Sequence, residues 1–298
     1  MRFGGQERTA PLSFSTKVPG PMHQLAATDV LPLTCTREGT CCHGHQIWIN
    51  PWELARLAEA AGLTREDFRA RHTDCQGTRL LFNGPAGWRG RPACSLYDPS
   101  KGCTAHAGRP LTCRMYPLGR ARREGAVIYY HAGDRLPCYD LCPSVVNHPS
   151  MTVGDYVAGQ DVTAGAIATD AYANLVYGMI GVVKSLCDHG PQAGVEVTAI
   201  HQSFEELAEM TPETRTTLLP QEWVDLLTLL PDELVQQAPA DTVRLHGERI
   251  NAMVQNQMNQ TGASLTDVAH LYLAMAFHLN ATIGGDPEAM RGLLKPAA

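Results

Sequence analysis

Residues 34–45 read TCTREGTCCHGH, which sets Cys35 six residues ahead of the adjacent pair Cys41 and Cys42 and puts His43 and His45 close behind. Three chemistries compete for such a stretch: a disulfide frame, a metal or cluster site, and a reactive thiol. The choice decides the fold, because a segment organised around bound metal needs few long periodic elements of its own.

The surrounding chain argues against disulfides. Its 298 residues, 44% of them apolar, suffice for a core without covalent staples. The opening MRFGGQERTAPLSFSTKVPGPMH has an early arginine but no apolar run behind it, and no later run approaches a membrane span. A soluble cytoplasmic protein, with no membrane partner, is therefore expected. Thiols stay reduced in that compartment, so dense cysteine points to metal or to chemistry. Of the ten cysteines, nine precede residue 143 and only Cys187 follows.

Charge divides in the same way. Residues 1–150 carry 18 Lys+Arg against 12 Asp+Glu, and 16 of those basic residues are arginine, whereas the remainder carries 6 against 18. A solvated basic face is one account. The other is electrostatic: guanidinium groups would offset metal-bound thiolates and donate hydrogen bonds to their sulfurs. Nucleic acid is not expected as a partner, since the net charge is −6 and no basic-aromatic pattern is present.

Pattern along the chain predicts an α+β fold, mainly α. Residues 1–30, punctuated by Pro11, Pro19, Gly20 and Pro21, read as an arm. Residues 31–150 read as an irregular, metal-organised cysteine-rich domain with short strands, HQIWI and AVIYYH among them, and with GRARREG as an exposed basic loop. Asn50, Pro51 and Glu53 start a helix that Gly62 stops, and Thr64 caps a second through Arg71. Residues 151–298 read as a helical domain. Thr152 with Asp155 opens it, and helices are predicted at 164–186, 202–210, 221–237 with a break near Pro231, 241–258 and 264–281.

Eight cysteines form a sensible ligand set: Cys35, Cys41, Cys42, Cys94, Cys103, Cys113, Cys138 and Cys142. Thiolates suit zinc, four to a structural ion, and also iron-sulfur clusters, where each iron of the four-iron type takes one terminal cysteine. Adjacent Cα atoms lie about 3.8 Å apart with diverging side chains, so Cys41 and Cys42 fit different irons or different sites better than one zinc ion. Cys138 and Cys142 can converge from one turn or loop. Two four-ligand sites, or one cluster plus a separate ion, satisfy the count equally. Cys75 and Cys187 read as ordinary thiols. His43, His45, His106 and His131 lie close enough in sequence to replace a thiolate, with a structural role the commoner fate of each.

The segments CTREGTCC and ACSLYDPSKGCTAHAGRPLTCRMYPL together resemble the YkgJ-type cysteine-cluster family of zinc- or iron-chelating domains, which includes the flagellin lysine N-methylases. Cys94, Cys103, Arg109, Pro110, Cys113, Tyr116 and Pro117 fall where the family pattern expects them, and the resemblance covers roughly residues 33–160. The family's opening often has a cysteine where this chain has Glu38. That residue is a carboxylate ligand, the mark of an open metal position, or a solvated loop residue, with the last slightly favoured.

The resemblance implies a 4Fe-4S cluster or zinc as cofactor and an enzyme acting on a protein or peptide side chain, such as a lysine N-methylase using S-adenosylmethionine. No glycine-rich strand-to-helix loop of the dinucleotide-binding kind is present, so a methyltransferase here needs an unconventional site. Arg109 and Arg114, flanking Cys113, are the candidates for holding an anionic group of a cofactor. The competing expectation is a non-catalytic module that zinc stabilises and whose helices contact a partner. The sequence carries no signature of oligomeric state and nominates no catalytic residue.

Overall fold

The stretch NPWELARLAEAAG shows how local chemistry builds the scaffold. Asn50 Oδ1 accepts from the Glu53 backbone N–H and Glu53 Oε2 accepts from the Asn50 N–H, both at 3.0 Å, so the capping box closes around Pro51. Helix α1, Pro51–Ala61, follows and ends at Gly62, whose left-handed backbone needs a residue without Cβ. Its apolar stripe, Leu54, Leu57 and Ala58, packs with Ile49, Phe68, Leu80 and Leu96 in a small core of its own. Helix α2, Arg65–His72, starts from the Thr64 cap.

The computed structural model describes residues 22–33, 39–123, 126–132 and 149–294. Within them the fold is α+β and mainly helical, with short strands confined to residues 22–152. Strands β1 (Met22–Leu25), β2 (Val30–Leu31), β3 (Thr73–Asp74), β4 (Arg79–Leu80), β5 (Tyr97–Asp98), β6 (Gly102–Cys103), β7 (Gly119–Arg123), β8 (Ala126–Ala132) and β9 (Met151–Thr152) pair antiparallel throughout. The largest sheet has the order β1-β8-β7.

Three local expectations change. The end of the expected arm is not loose, because β1 pairs with β8 and β2 with β9. HQIWI is bridged to the chain at Trp48 opposite Arg79 but forms no strand, since Asn50 and Pro51 turn it at once into α1. GRARREG is not an exposed loop where it is described: Gly119–Arg123 is an edge strand on β8, with Ala121 opposite Ile128. The period of two puts Arg120 and Arg122 on the same face, and both reach Asp170, at 2.8 and 3.4 Å.

Helix α3, Leu111–Met115, and helix α4, Val153–Gly159, border the cysteine region, and a bundle follows. Its helices are α5 (Thr163–His189), α6 (Val197–Glu209), α7 (Gln221–Thr228), α8 (Pro239–Thr261), α9 (Leu265–Thr282) and α10 (Pro287–Leu294). Single turns at Pro212–Arg215 and Asp232–Val235 join them, the second accounting for the break at Pro231. By length and composition α5 could cross a membrane, which the sequence was not expected to offer. Alanine and glycine spread its apolar character around the helix, and the larger residues Tyr172, Val176, Met179, Ile180 and Val183 form one buried stripe against α8 and α9.

The charge division acquires a structural cause. Six arginines of the first half meet carboxylates of the second: Arg65 with Asp232, Arg69 with Asp225, Arg79 with Glu213, Arg114 with Asp161, and Arg120 and Arg122 with Asp170. Arg120 grips Asp170 through both Nη atoms at 2.8 Å, and both side chains are mostly buried, which makes this the best buried of the pairs. Asn50 Nδ2 adds a bond to Thr169 Oγ1 at 3.3 Å. These pairs, rather than a solvated face, absorb much of the arginine surplus.

Two buried histidines lie in the bundle core. His246 Nε2 donates to the Leu226 carbonyl at 2.8 Å and Nδ1 accepts from Tyr172 Oη at 3.1 Å, whereas neither ring nitrogen of His278 has a partner among the described residues. Burial pushes each imidazole down to about 4. A histidine whose folded pKa lies below its unfolded value destabilises the fold as pH falls from the unfolded value of about 6.5 toward 4, because the unfolded chain binds the proton first. His278→Leu should therefore remove about 3 kcal/mol of the stability lost between pH 7 and pH 4. Urea midpoints of both proteins across that range check it.

Glu53 is fully buried among neighbours, and its Oε1 also accepts from the Leu111 N–H at 2.7 Å. Glu53→Ala strands two backbone donors and should cost about 3 kcal/mol or more, with Glu53→Gln recovering part of it. Denaturant unfolding of the two variants against the parent measures both.

Candidate metal centre

Cysteines from four separate stretches come together around the start of α3. Cys41 and Cys42 lie in the single 3-10 turn Thr40–Cys42, entered through Gly39 at φ 73°. A Cβ there would also strike the Tyr97 ring, so glycine is required twice over. The Cys94 N–H donates to the Cys42 carbonyl at 2.8 Å, which draws the second stretch against the first. Cys103 ends the β5-β6 hairpin opposite Tyr97. Cys113 is carried by α3, whose first N–H is held by Glu53.

The thiols feel one another's charge. Cys41 and Cys42 are hydrogen-bonded through their side chains, which lowers Cys41 to about 7 and raises Cys42. Burial pushes Cys94 up to about 11 and raises Cys103. Cys113 is raised well above an ordinary thiol, by burial first and then by the charges of Cys94, Cys103, Cys41 and Glu53. Bare thiolates in this arrangement would repel one another. A bound cation would offset that repulsion, and sulfur is the donor that zinc and iron-sulfur centres take, so the donor set fits such a centre in kind. Among the described residues no three Cys, His, Asp or Glu side chains already stand as a ready-made metal site.

Cys35, Glu38, Cys138 and Cys142 lie outside the described residues. Cys75 sits apart in the turn Cys75–Gly77, facing Asp74, Arg79 and Glu213 with its thiol pushed up to about 12 by burial. Cys187 packs into the bundle core. The histidines diverge: His43 Nδ1 donates to the Gly39 carbonyl at 2.9 Å and its ring meets Tyr97 edge-on, while His45 meets Tyr116. Burial, then Arg91, lowers the His45 pKa, and its buried Nε2 has no partner among the described residues. His106 opens the turn before Arg109, and His131 stacks on His23 across the sheet.

Arg109 and Arg114 line one cavity beside these thiols. The Arg109 charge reaches Cys41 and Cys103, as the thiolate-offset account requires of at least one arginine. Arg114 is tied into the backbone, Nε donating to the Arg109 carbonyl at 2.9 Å and Nη2 to the Ala107 carbonyl at 2.5 Å. Tyr116 reinforces the same corner through its carbonyl, which accepts from Tyr156 Oη at 2.5 Å. Sequence reasoning saw Glu53 only as a cap and missed that its second oxygen holds α3. The signal available, a carboxylate at a cap position within an otherwise apolar helix face, did not reveal a partner 58 residues away.

Residues 34–130, about a third of the chain, match the model of the CxxCxxCC family, whose description reads "Putative zinc- or iron-chelating domain". Neither a curated protein nor a solved structure gives a match. Residues 34–130 are thus similar to the CxxCxxCC family of zinc- or iron-chelating domains, which supports metal binding by this part of the chain.

Proposed function

We propose that the chain houses an iron-sulfur centre of the four-iron type, held by thiolates drawn from Cys35, Cys41, Cys42, Cys94, Cys103, Cys113, Cys138 and Cys142. The observation that carries this is the gathering of Cys41, Cys42, Cys94, Cys103 and Cys113 from four stretches into mutual electrostatic reach. The side chains of Cys41 and Cys42 lie within hydrogen-bonding reach of each other, whereas the sequence suggested that they diverge, so the pair could serve two neighbouring irons of one cluster. Such a centre supplies electron transfer or, at an open iron position, a Lewis acid. The protein's own part is to hold the sulfurs, with Glu53 fixing α3 and Arg109 setting local positive charge.

The centre would serve an enzyme that modifies a protein or peptide side chain, with lysine N-methylation from S-adenosylmethionine as the reaction that the family resemblance suggests. The same reading puts the protein in the cytoplasm, where its thiols stay reduced. The alternative, a zinc-stabilised module whose helices contact a partner, draws support from the exposed Ile167, Tyr177 and Val182 on α5.

Protein purified without oxygen should be brown, with broad visible absorption and about four iron and four sulfide per chain. Cys94→Ala and Cys113→Ala should each lose that colour, whereas Cys75→Ala and Cys187→Ala should keep it. A colourless product with stoichiometric zinc would overturn the iron-sulfur reading in favour of the module. Methyl transfer from labelled S-adenosylmethionine to lysine-containing peptides, measured on the same material, tests the reaction separately.

A further inference from the structure

A cavity of about 360 Å³ opens where the cysteine-rich part meets the bundle. Among the described residues no cysteine lines it, and Arg109 borders both the cavity and the thiol cluster. Its walls come from α1, the His106–Gly108 turn, α3, the start of α5 and the approach to α8. Gly108 makes the close approach possible: a Cβ there would strike the Arg56 carbonyl, so only glycine lets the turn carrying Arg109 lie against α1.

The cavity's charge is lopsided. Among the described residues three guanidinium groups, Arg56, Arg109 and Arg114, border it against one lining carboxylate, Asp161, which is 85% exposed and lies 3.6 Å from Arg114. Arg56 lies over the Trp52 ring at 6.0 Å and also pairs with Glu59, which keeps it beside the cavity wall. Arg114 is held by three backbone carbonyls, those of Arg109, Ala107 and Gln160. Arg109 donates through Nε to the His106 carbonyl at 3.3 Å and has no carboxylate partner among the described residues. Pre-positioned guanidiniums with spare donors beside an aromatic wall are the usual means of holding an oxyanion attached to an organic body. The volume is that of a small-molecule site, and a seam between structural units is a common place for one.

We propose that this cavity binds a small organic anion through its carboxylate or phosphate group, with Arg109 the principal contact, Arg56 a second, and Arg114 a positioning residue that fixes the Arg109 backbone. Trp52 supplies the apolar wall for the rest of the ligand. The inference stands on the cavity alone and is independent of which metal the cysteines hold.

Titration of the full-length, metal-loaded protein at fixed ionic strength, followed by isothermal calorimetry and thermal shift, tests it with inorganic phosphate, succinate, adenosine monophosphate and uncharged adenosine. Saturable binding of phosphate or succinate is expected, with adenosine monophosphate bound in preference to adenosine if the natural group is a phosphate ester. Arg109→Gln should weaken binding about tenfold or more and Arg56→Gln by a smaller factor, at unchanged circular dichroism. Arg244→Gln, at an exposed position of α8 that does not line the cavity, should leave it as it is. Absence of saturation with both phosphate and succinate overturns the proposal, as does affinity that neither Arg109→Gln nor Arg56→Gln lowers. Should Arg109→Gln fail to fold, the Arg56→Gln result decides.

Discussion

The buried carboxylate of Glu53 ties together the elements on which the cysteine region depends. One of its oxygens closes the cap of α1 and the other takes the first N–H of α3, 58 residues on, so the two helices share a single acceptor group. Burial raises its pKa to about 7, well above an ordinary glutamate, and the two N–H bonds work against that rise. The carboxylate lies close enough to Cys113 that its charge discourages ionisation of the thiol. A cation held by the neighbouring sulfurs would lower the energy of both. Metal binding would in this way be coupled to folding of the first half.

From this corner the structure extends in two directions. Toward the first half, short hairpins and tight turns bring Cys94 and Cys103 beside Cys41 and Cys42, at the expense of long periodic elements. Toward the second half, arginines reach carboxylates on the bundle, with Arg120 and Asp170 the best buried of the pairs. Most of the others are exposed enough for each to contribute little alone, but together they fix which face of the bundle meets the cysteine region. The arginine-bordered cavity lies on that same seam. The cysteine-bearing loops thus gain a helical backing, and the contact between them leaves a charged recess bordered by Arg109.

Much of this was legible in the residues because it is local. Asn50, Thr64, Thr152 and Ser264 each announce a helix start, and each side chain accepts from an N–H three residues on. The family match to residues 34–130 agrees with the resemblance carried by the two cysteine segments. What depended on distant partners was not legible. The pairing of β1 with β8 requires knowledge of a strand a hundred residues later, and the basic run at 119–123 declares itself a strand only once Asp170 is seen to receive its alternate arginines. The arginine surplus was visible at once, but its carboxylate partners lie beyond residue 150. Glu53 shows the same limit within one side chain: the bond to Asn50 is written in the local sequence, and the bond to Leu111 is not.

Sulfurs distant along the backbone are proposed to surround one inorganic centre. X-ray absorption at the metal edge of the protein as purified measures that shell directly. A first shell dominated by sulfur at about 2.3 Å is expected, with a metal neighbour beyond it when the centre is a cluster. A first shell of oxygen and nitrogen alone would contradict it.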